Sequence, residues 1–428
     1  MSQKNYIKQV QKRQRIKRTT LVIGIDVGRS FNAAAYMDKE GNILGKFPKV
    51  YNSRQGFDFF VKVTEQIKRK HGMEDVLIAL EPTGHYWRNI AYFAKEKGYD
   101  VQFIRTTSVK NQRELDDSSS AKTDIRDALT LANLTREGKY IDTVIEDGIW
   151  RQLRTVVKVR EKIRKYNISA KNTLQSALDN YFPELRKIFW SVSTKGIWAI
   201  LERCPFPEDV LKVEVSELRE IIGKASRRKK VALEKAVKLH GAAKESIGIK
   251  EIGQSDRYRV KKCLQEVKRT EGLVKESEKK IKGLLKQIEY TEYLLSIPGV
   301  GPLSAAVVLG ELGNPSHFQN ARQMIKYAGY DPQENDSGQR IGRKVISKKG
   351  RWLLRKCLYF MCLRVVMKTR FFKEFYQRKL EKRNRFGQNL KKKEALCAVT
   401  IKLIKVIHAL LRDKRCFYDT VSCLAKAA

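Results

Sequence analysis

Thr19 to Gly28, TTLVIGIDVG, is an apolar, largely β-branched run that closes on a carboxylate set between two glycines. Such a run reads as a buried strand, and this one delivers a single acid, Asp26, at its middle or end. Phe31 to Met37 and Ile43 to Val50 continue the strand character, with Lys39-Glu40-Gly41-Asn42 as the hairpin turn between them. Three adjacent antiparallel strands are the expectation. Gly56 to His71 places Phe57, Phe60, Val61, Val63 and Ile67 at helical intervals and stops at Gly72; Asp75 to Leu80 is then a further strand that ends at Glu81. A helix from His85 to Lys97 and a strand from Tyr99 to Ile104 follow.

The next informative stretch is Ala121 to Ala132, AKTDIRDALTLA. Ile125, Ala128, Leu129 and Leu131 repeat at helical spacing, so Asp124 and Asp127 project from one face about 5 to 6 Å apart. Two solvated acids on a surface helix are the plain alternative. Hairpin strands first, then alternating helix and strand, with acids on the first strand, a later strand and a late helix, is the order of an α/β RNase H-like (RuvC-like) fold. There Asp26, Glu81, Asp124 and Asp127 meet at one end of the sheet, as a Mg²⁺ site for phosphodiester chemistry requires. GIDVG taken alone also opens sugar-kinase and actin-like domains, where it faces nucleotide phosphates.

The 428 residues carry a formal net charge of +41. That excess does not suit an enzyme of small neutral substrates and fits a life against phosphates, which makes DNA or RNA the first partner to consider. The seven cysteines (Cys204, Cys263, Cys357, Cys362, Cys397, Cys416, Cys423) are scattered and read as reduced thiols, with no zinc site. Residues 1–18 form a basic arm without the apolar core of a secretory leader, laid along a phosphate backbone or solvated as a tail. A cytoplasmic, nucleoid-associated protein with no membrane contact is expected.

Ile149 to Leu178 and Arg257 to Glu289 read as long charged helices suited to an antiparallel coiled-coil arm or a dimer contact. Between them lies a smaller helical insert in which Lys224 to Lys230, including Arg228 and Lys229, either grips phosphate or forms a solvated loop. In Leu294 to Leu312, LLSIPGVGPLSAAVVLGEL, the turn with Gly299 and Gly301 suggests a helix-hairpin-helix, whose backbone N–H groups bind phosphate; a simple helical hairpin is the alternative. Ala328 to Arg355 is a glycine-rich loop or short hairpin that sets Ser337 among Arg340, Arg343, Lys344, Lys348 and Lys349. Cations offset the charge that develops when a hydroxyl attacks phosphorus, although the loop supplies no evident base. From the residues alone Ser337 reads as a turn serine. Arg351 and Arg355 are further candidates for contact with a phosphate, and the rest of the chain is helical and basic.

GIDVG, ALEPTGHYW (Ala79 to Trp87) and KTDIRDA (Lys122 to Ala128) resemble the three acidic motifs of the insertion sequence 110 family of DEDD transposases, whose relatives include pilin-gene DNA invertases. The frame around Ser337 resembles the transposase-domain signature of that family, with Ser337 at the nucleophile position and Ser347 at a backbone-supporting one. The resemblance implies a basic arm (1–18), a RuvC-like domain (19–140), a helical linker and insert (141–290) and a serine-containing transposase domain (291–428). It further implies DNA strand exchange through a phosphoserine intermediate with Mg²⁺, dimers that pair into tetramers, and a bridge RNA that chooses donor and target DNA. A Holliday-junction nuclease that uses the four acids alone, or a non-catalytic nucleic-acid scaffold, is the competing reading.

Overall fold

A computed structural model describes residues 3–82, 84–116, 123–142, 144–226, 229–333, 342, 344–384 and 386–418, with side chains left out for residues 3–5, 229 and 230. The chain divides into two compact units, Met1–Ile145 and Glu146–Ala428.

The first unit runs α1 (Gln3–Arg15), β1 (Thr20–Asp26), β2 (Phe31–Met37), β3 (Lys49–Tyr51), α2 (Arg54–His71), β4 (Asp75–Leu80), α3 (Trp87–Glu96), β5 (Asp100–Phe103), α4 (Thr106–Asp116) and α5 (Asp124–Arg136). Its sheet has the order β3-β2-β1-β4-β5. β1 pairs antiparallel with β2, from Val22 with Met37 to Asp26 with Ala33, and parallel with β4, from Thr20 with Asp75 to Ile25 with Leu80. Period-2 alternation then feeds two cores. Leu21, Ile23 and Ile25 pack with Phe60, Ile67, Ile90 and Ala94 on one face, while Val22, Leu77 and Ala79 meet Leu131 and Ala132 of α5 on the other. Gly24 is what lets α5 lie directly on the sheet. A Cβ there would stand 2.0 Å from the Ala128 carbonyl oxygen and 2.5 Å from the Ala132 nitrogen. Ala33 and Ala35 of β2 keep the neighbouring strand equally low beneath Ala128.

Two expectations need correction here. The third strand does not run from Ile43 to Val50: Gly45 sits at φ +101 and Pro48 lacks a donor, so pairing is confined to Lys49–Tyr51, with Ile43 making an isolated bridge to Met37. The basic arm is not a solvated tail. It forms α1 and is tied to its own unit by Gln9 Nε2 on the Glu137 carbonyl (3.1 Å), Lys12 Nζ on the Tyr140 carbonyl (2.7 Å), a Lys12–Asp142 ion pair (2.9 Å) and the buried side chain of Ile16. Gly138, at φ +72, permits this docking, because a Cβ would lie 2.5 Å from the Gln9 oxygen.

The second unit begins with α6 (Gly148–Tyr181), followed by α7 (Leu185–Ile188), α8 (Lys195–Arg203), α9 (Pro207–Leu211), α10 (Val215–Ser226), α11 (Lys229–Lys244) and α12 (Gln254–Leu285). α6 and α12 are antiparallel: Arg160 bonds Glu278, Asn167 bonds Thr270 and Tyr181 bonds Asp256, so one number falls as the other rises. Leu174, Leu178, Val260 and Leu264 belong to a core shared with α8, α10 and α11. The remainder comprises α13 (Tyr290–Leu295), α14 (Pro302–Leu312), α15 (Ala321–Ala328), a two-residue ladder of β6 (Pro332–Gln333) with β7 (Val345–Ile346), α16 (Trp352–Lys368), α17 (Arg370–Glu381) and α18 (Lys392–Asp413). These helices enclose a separate core that includes Leu309, Leu358, Met361, Val399 and Leu403.

Candidate active site

β1 and β4 are parallel neighbours in register up to the Ile25–Leu80 pair, so Asp26 and Glu81 leave the sheet at the same level. α5 contributes the other two acids. Thr123 caps it by accepting a hydrogen bond from the Arg126 N–H (3.3 Å), which places Asp124 and Asp127 in the first turn, where the helix dipole favours anions. All four carboxylates line one cleft of about 620 Å³, together with Arg29, Ser30, Thr106, Lys110 and Arg113. A second cleft of about 490 Å³, lined by Thr20, Asp75 and Asp100, marks the opposite end of the same strands and holds none of the predicted acids.

The four acids differ in environment. Asp124 is exposed, Asp26 and Glu81 are half-buried, and Asp127 retains 1% of its surface. Arg113 places Nε 2.5 Å from Asp127 Oδ1. The loop that follows Asp26 is pinned from β2 and from the residue just after β3: Asn52 Nδ2 donates to the carbonyls of Gly28 and Arg29 (2.9 Å each), and Asn32 Nδ2 donates to Asn52 Oδ1 (2.8 Å). Sequence reading missed α4, Lys110, Arg113 and this asparagine pair. The spacing of Thr106, Lys110 and Arg113, one helical face at i, i+4 and i+7, was the available signal.

As a donor set the cleft suits a hard divalent cation: four carboxylates, with no thiol or imidazole among the residues that line it. Among the described residues no three such side chains are yet drawn together tightly enough to enclose an ion.

The predicted serine site is only partly within view. Ser337, Arg340 and Arg343 lie outside the described residues, as do Arg228 and the side chain of Lys229. β6 and β7 bracket the segment that contains Ser337. Lys344, Lys348 and Lys349 are exposed, and Lys348 adopts a left-handed backbone at φ +53. Arg355 Nη1 donates to the Lys348 carbonyl (2.9 Å) and ties α16 to the loop. Arg351 lies 3.6 Å from the buried carboxylate of Glu311 and over the ring of Tyr327. At the turn between α13 and α14, Gly299 has φ +93 and packs against the α16 backbone at Arg364. Arg364 donates to the Gly299 carbonyl (3.1 Å) and to Ser304 Oγ (2.7 Å).

Two family models match the chain: a DEDD, IS110-type transposase model over residues 23–183, and one described as "Transposase IS116/IS110/IS902 family" over residues 291–377. The chain belongs to the IS110 family of transposases. Members of this family act by cleaving and rejoining DNA. The "uncharacterized 44.8 kDa protein" of insertion element IS116 from Streptomyces clavuligerus is 23% identical over 402 residues, 92% of this transposase and 95% of the relative. The "uncharacterized 43.6 kDa protein" of insertion element IS110 from Streptomyces coelicolor is 22% identical, over 76% of this chain and 79% of its own. A pilin gene-inverting protein of Moraxella bovis is 32% identical over 127 residues, 29% of this transposase and 37% of that protein. The acid cleft falls inside the first matched region and Ser337 inside the second. The family's DEDD-type domain is associated with divalent metal use. Among the described residues no helix is long and apolar enough to cross a membrane.

Proposed function

We propose that this transposase is a site-specific recombinase of an insertion sequence that cuts and rejoins DNA through a phosphoserine link. The observation that carries the reading is the cleft itself, where acids from β1, β4 and α5, far apart in sequence, open onto one space. Asp26, Glu81, Asp124 and Asp127 would hold Mg²⁺, whose role when bound is to stabilise charge on an attacked phosphate. Arg29 and Lys110, on the lining of the same cleft, suit an approaching DNA backbone.

Ser337 is the proposed nucleophile. Its Oγ bonds to phosphorus as the bond from phosphorus to one sugar oxygen breaks, and that oxygen leaves as a free hydroxyl with a proton. Attack by a hydroxyl on the phosphoserine reverses the exchange, so rejoining needs no ATP. Arg340, Arg343, Lys344, Lys348 and Lys349 offset the developing charge. The α14 N-terminus, with Gly299, Gly301 and Arg364, would act as a helix-hairpin-helix on phosphates, and Arg228 and Lys229 would add a further basic contact. We assign the α6/α12 pair to a coiled-coil contact between copies, in dimers or tetramers, and the excess positive charge to donor and target DNA plus a structured bridge RNA, in the cytoplasm on the nucleoid. The likeness to a pilin gene-inverting protein supports strand rejoining rather than cleavage alone.

The test is to purify the full-length chain, sequence the RNA that accompanies it, and seek a denaturation-resistant DNA adduct. Wild type should form the adduct, Ser337→Ala should form none, and Asp26→Asn should lose cleavage. An adduct that survives Ser337→Ala would sink the nucleophile assignment, and unimpaired cleavage by Asp26→Asn would sink the metal site.

A further inference from the structure

α4 presents Thr106, Lys110 and Arg113 on one face toward a cleft otherwise lined by four carboxylates. A helix that carries two cations into an acidic site works against the acids' capacity for a metal ion, unless it acts before the ion arrives. Asp127 makes the conflict specific. Its side chain is 2% exposed, and a carboxylate so far from water needs a compensating positive charge close by. Arg113, 2.5 Å away, supplies that charge here. A divalent cation at the same oxygens would supply it too, but a guanidinium and a divalent ion repel each other at that range. The two are alternatives.

We propose that Arg113 is a placeholder for metal: it neutralises Asp127 in the unloaded site and must swing away before a divalent cation can use that carboxylate. The arginine side chain retains 26% of its surface and stands on a helix at the cleft wall, so it has a way out into solvent without moving the sheet. Released, its guanidinium remains at the cleft beside Lys110 and Arg29, where a DNA phosphate is the natural acceptor. Substrate arrival and metal loading then favour one another, because each draws the same side chain out of the way or leaves it free for the other. This rests on the proposal that the acid cleft is a metal site, and the experiment separates the two.

Mn²⁺ is titrated into the full-length chain without nucleic acid and the free ion is read by electron paramagnetic resonance, with thermal melts in chelator and in Mn²⁺ alongside. Arg113→Ala should bind Mn²⁺ about tenfold more tightly than wild type, since one competing positive charge has gone. Its melting point in chelator should drop and be restored by Mn²⁺, whereas wild type should respond less. Arg113→Lys, which keeps the charge, should stay near wild-type affinity. Equal or weaker binding by Arg113→Ala, or a protein unfolded in both conditions, overturns the placeholder and leaves a plain structural ion pair. If neither wild type nor Arg113→Ala binds Mn²⁺, the metal reading falls as well.

Discussion

The acidic cleft and the surroundings of the proposed nucleophile are held in place by different forces. In the first unit, rigid backbone packing does the positioning. Gly24 and Ala128 bring α5 into direct contact with β1, so the carboxylates at the end of one strand and in the first turn of one helix take their places from two elements that cannot slide apart. In the second unit, arginines and backbone carbonyls do it. Arg355 clamps Lys348 to α16, the Arg351 N–H donates to the Tyr327 carbonyl (3.0 Å), and Arg154 Nη2 bonds both the Glu311 carbonyl (2.7 Å) and Tyr327 Oη (3.0 Å). A basic chain thus uses part of its positive charge internally, and a count of arginines overstates how many are free for phosphate.

That contrast is broken most severely at Gly24. Gly24→Val would drive two methyls into the α5 backbone, where even a Cβ stands 2.0 Å from an oxygen, and the helix must lift from the sheet. Overpacking against backbone should cost about 3 kcal/mol or more, seen as a lower urea midpoint. Because α5 carries Asp124 and Asp127, Mn²⁺ binding should fall with it. A variant as stable as wild type would show that α5 is not seated through this glycine.

The second unit should yield to a charge change rather than a steric one. Glu311 is 2% exposed, with Arg351 3.6 Å from its carboxylate, and its Oε1 has no hydrogen-bond partner among the described residues. Glu311→Gln keeps the shape and removes the counter-charge, which should cost about 2 kcal/mol, less than for a fully buried pair because Arg351 is partly solvated. Thermal melts at low and high salt would check this. An unchanged melting point would mean that packing, not charge, seats the Arg351 end of α16.

Much of the first unit is legible in the sequence because burial writes itself there. TLVIGID and DVLIAL read as core strands, their ends fix where Asp26 and Glu81 emerge, and the antiparallel β1–β2 pair with parallel β1–β4 follows from the hairpin and crossover order. α4 was illegible for the opposite reason. TTSVKNQRELD has no apolar stripe; Val109 is buried, but Leu115 stands 80% exposed, so no apolar period marks the helix, and only the polar spacing of Thr106, Lys110 and Arg113 points to its cleft face. α1 escaped similarly, since its docking depends on two polar side chains that reach carbonyls more than a hundred residues away. Long-range bonds of that kind leave no local pattern. Arg355 shows the converse: its charge suggests phosphate, and only the fold reveals that it also holds the Lys348 carbonyl.

The smallest expected effect separates backbone from side chain in the stretch just after β7. Lys348 holds φ +53, a conformation in which an L side chain crowds its own backbone, yet its N–H donates to the Gly329 carbonyl (3.1 Å), so the turn is fixed by its bonds. Glycine adopts that geometry without the crowding, at some entropic cost in the unfolded chain. Lys348→Gly should therefore be neutral to stabilising, by up to about 1 kcal/mol in a denaturant titration. DNA affinity should fall instead, and the dependence of binding on salt should flatten by roughly one unit of log-log slope for each lost phosphate contact. On the proposed function, the Lys348 side chain serves a phosphate contact outside the fold. If the variant instead loses stability and keeps its salt slope, the lysine belongs to the fold and not to the interface.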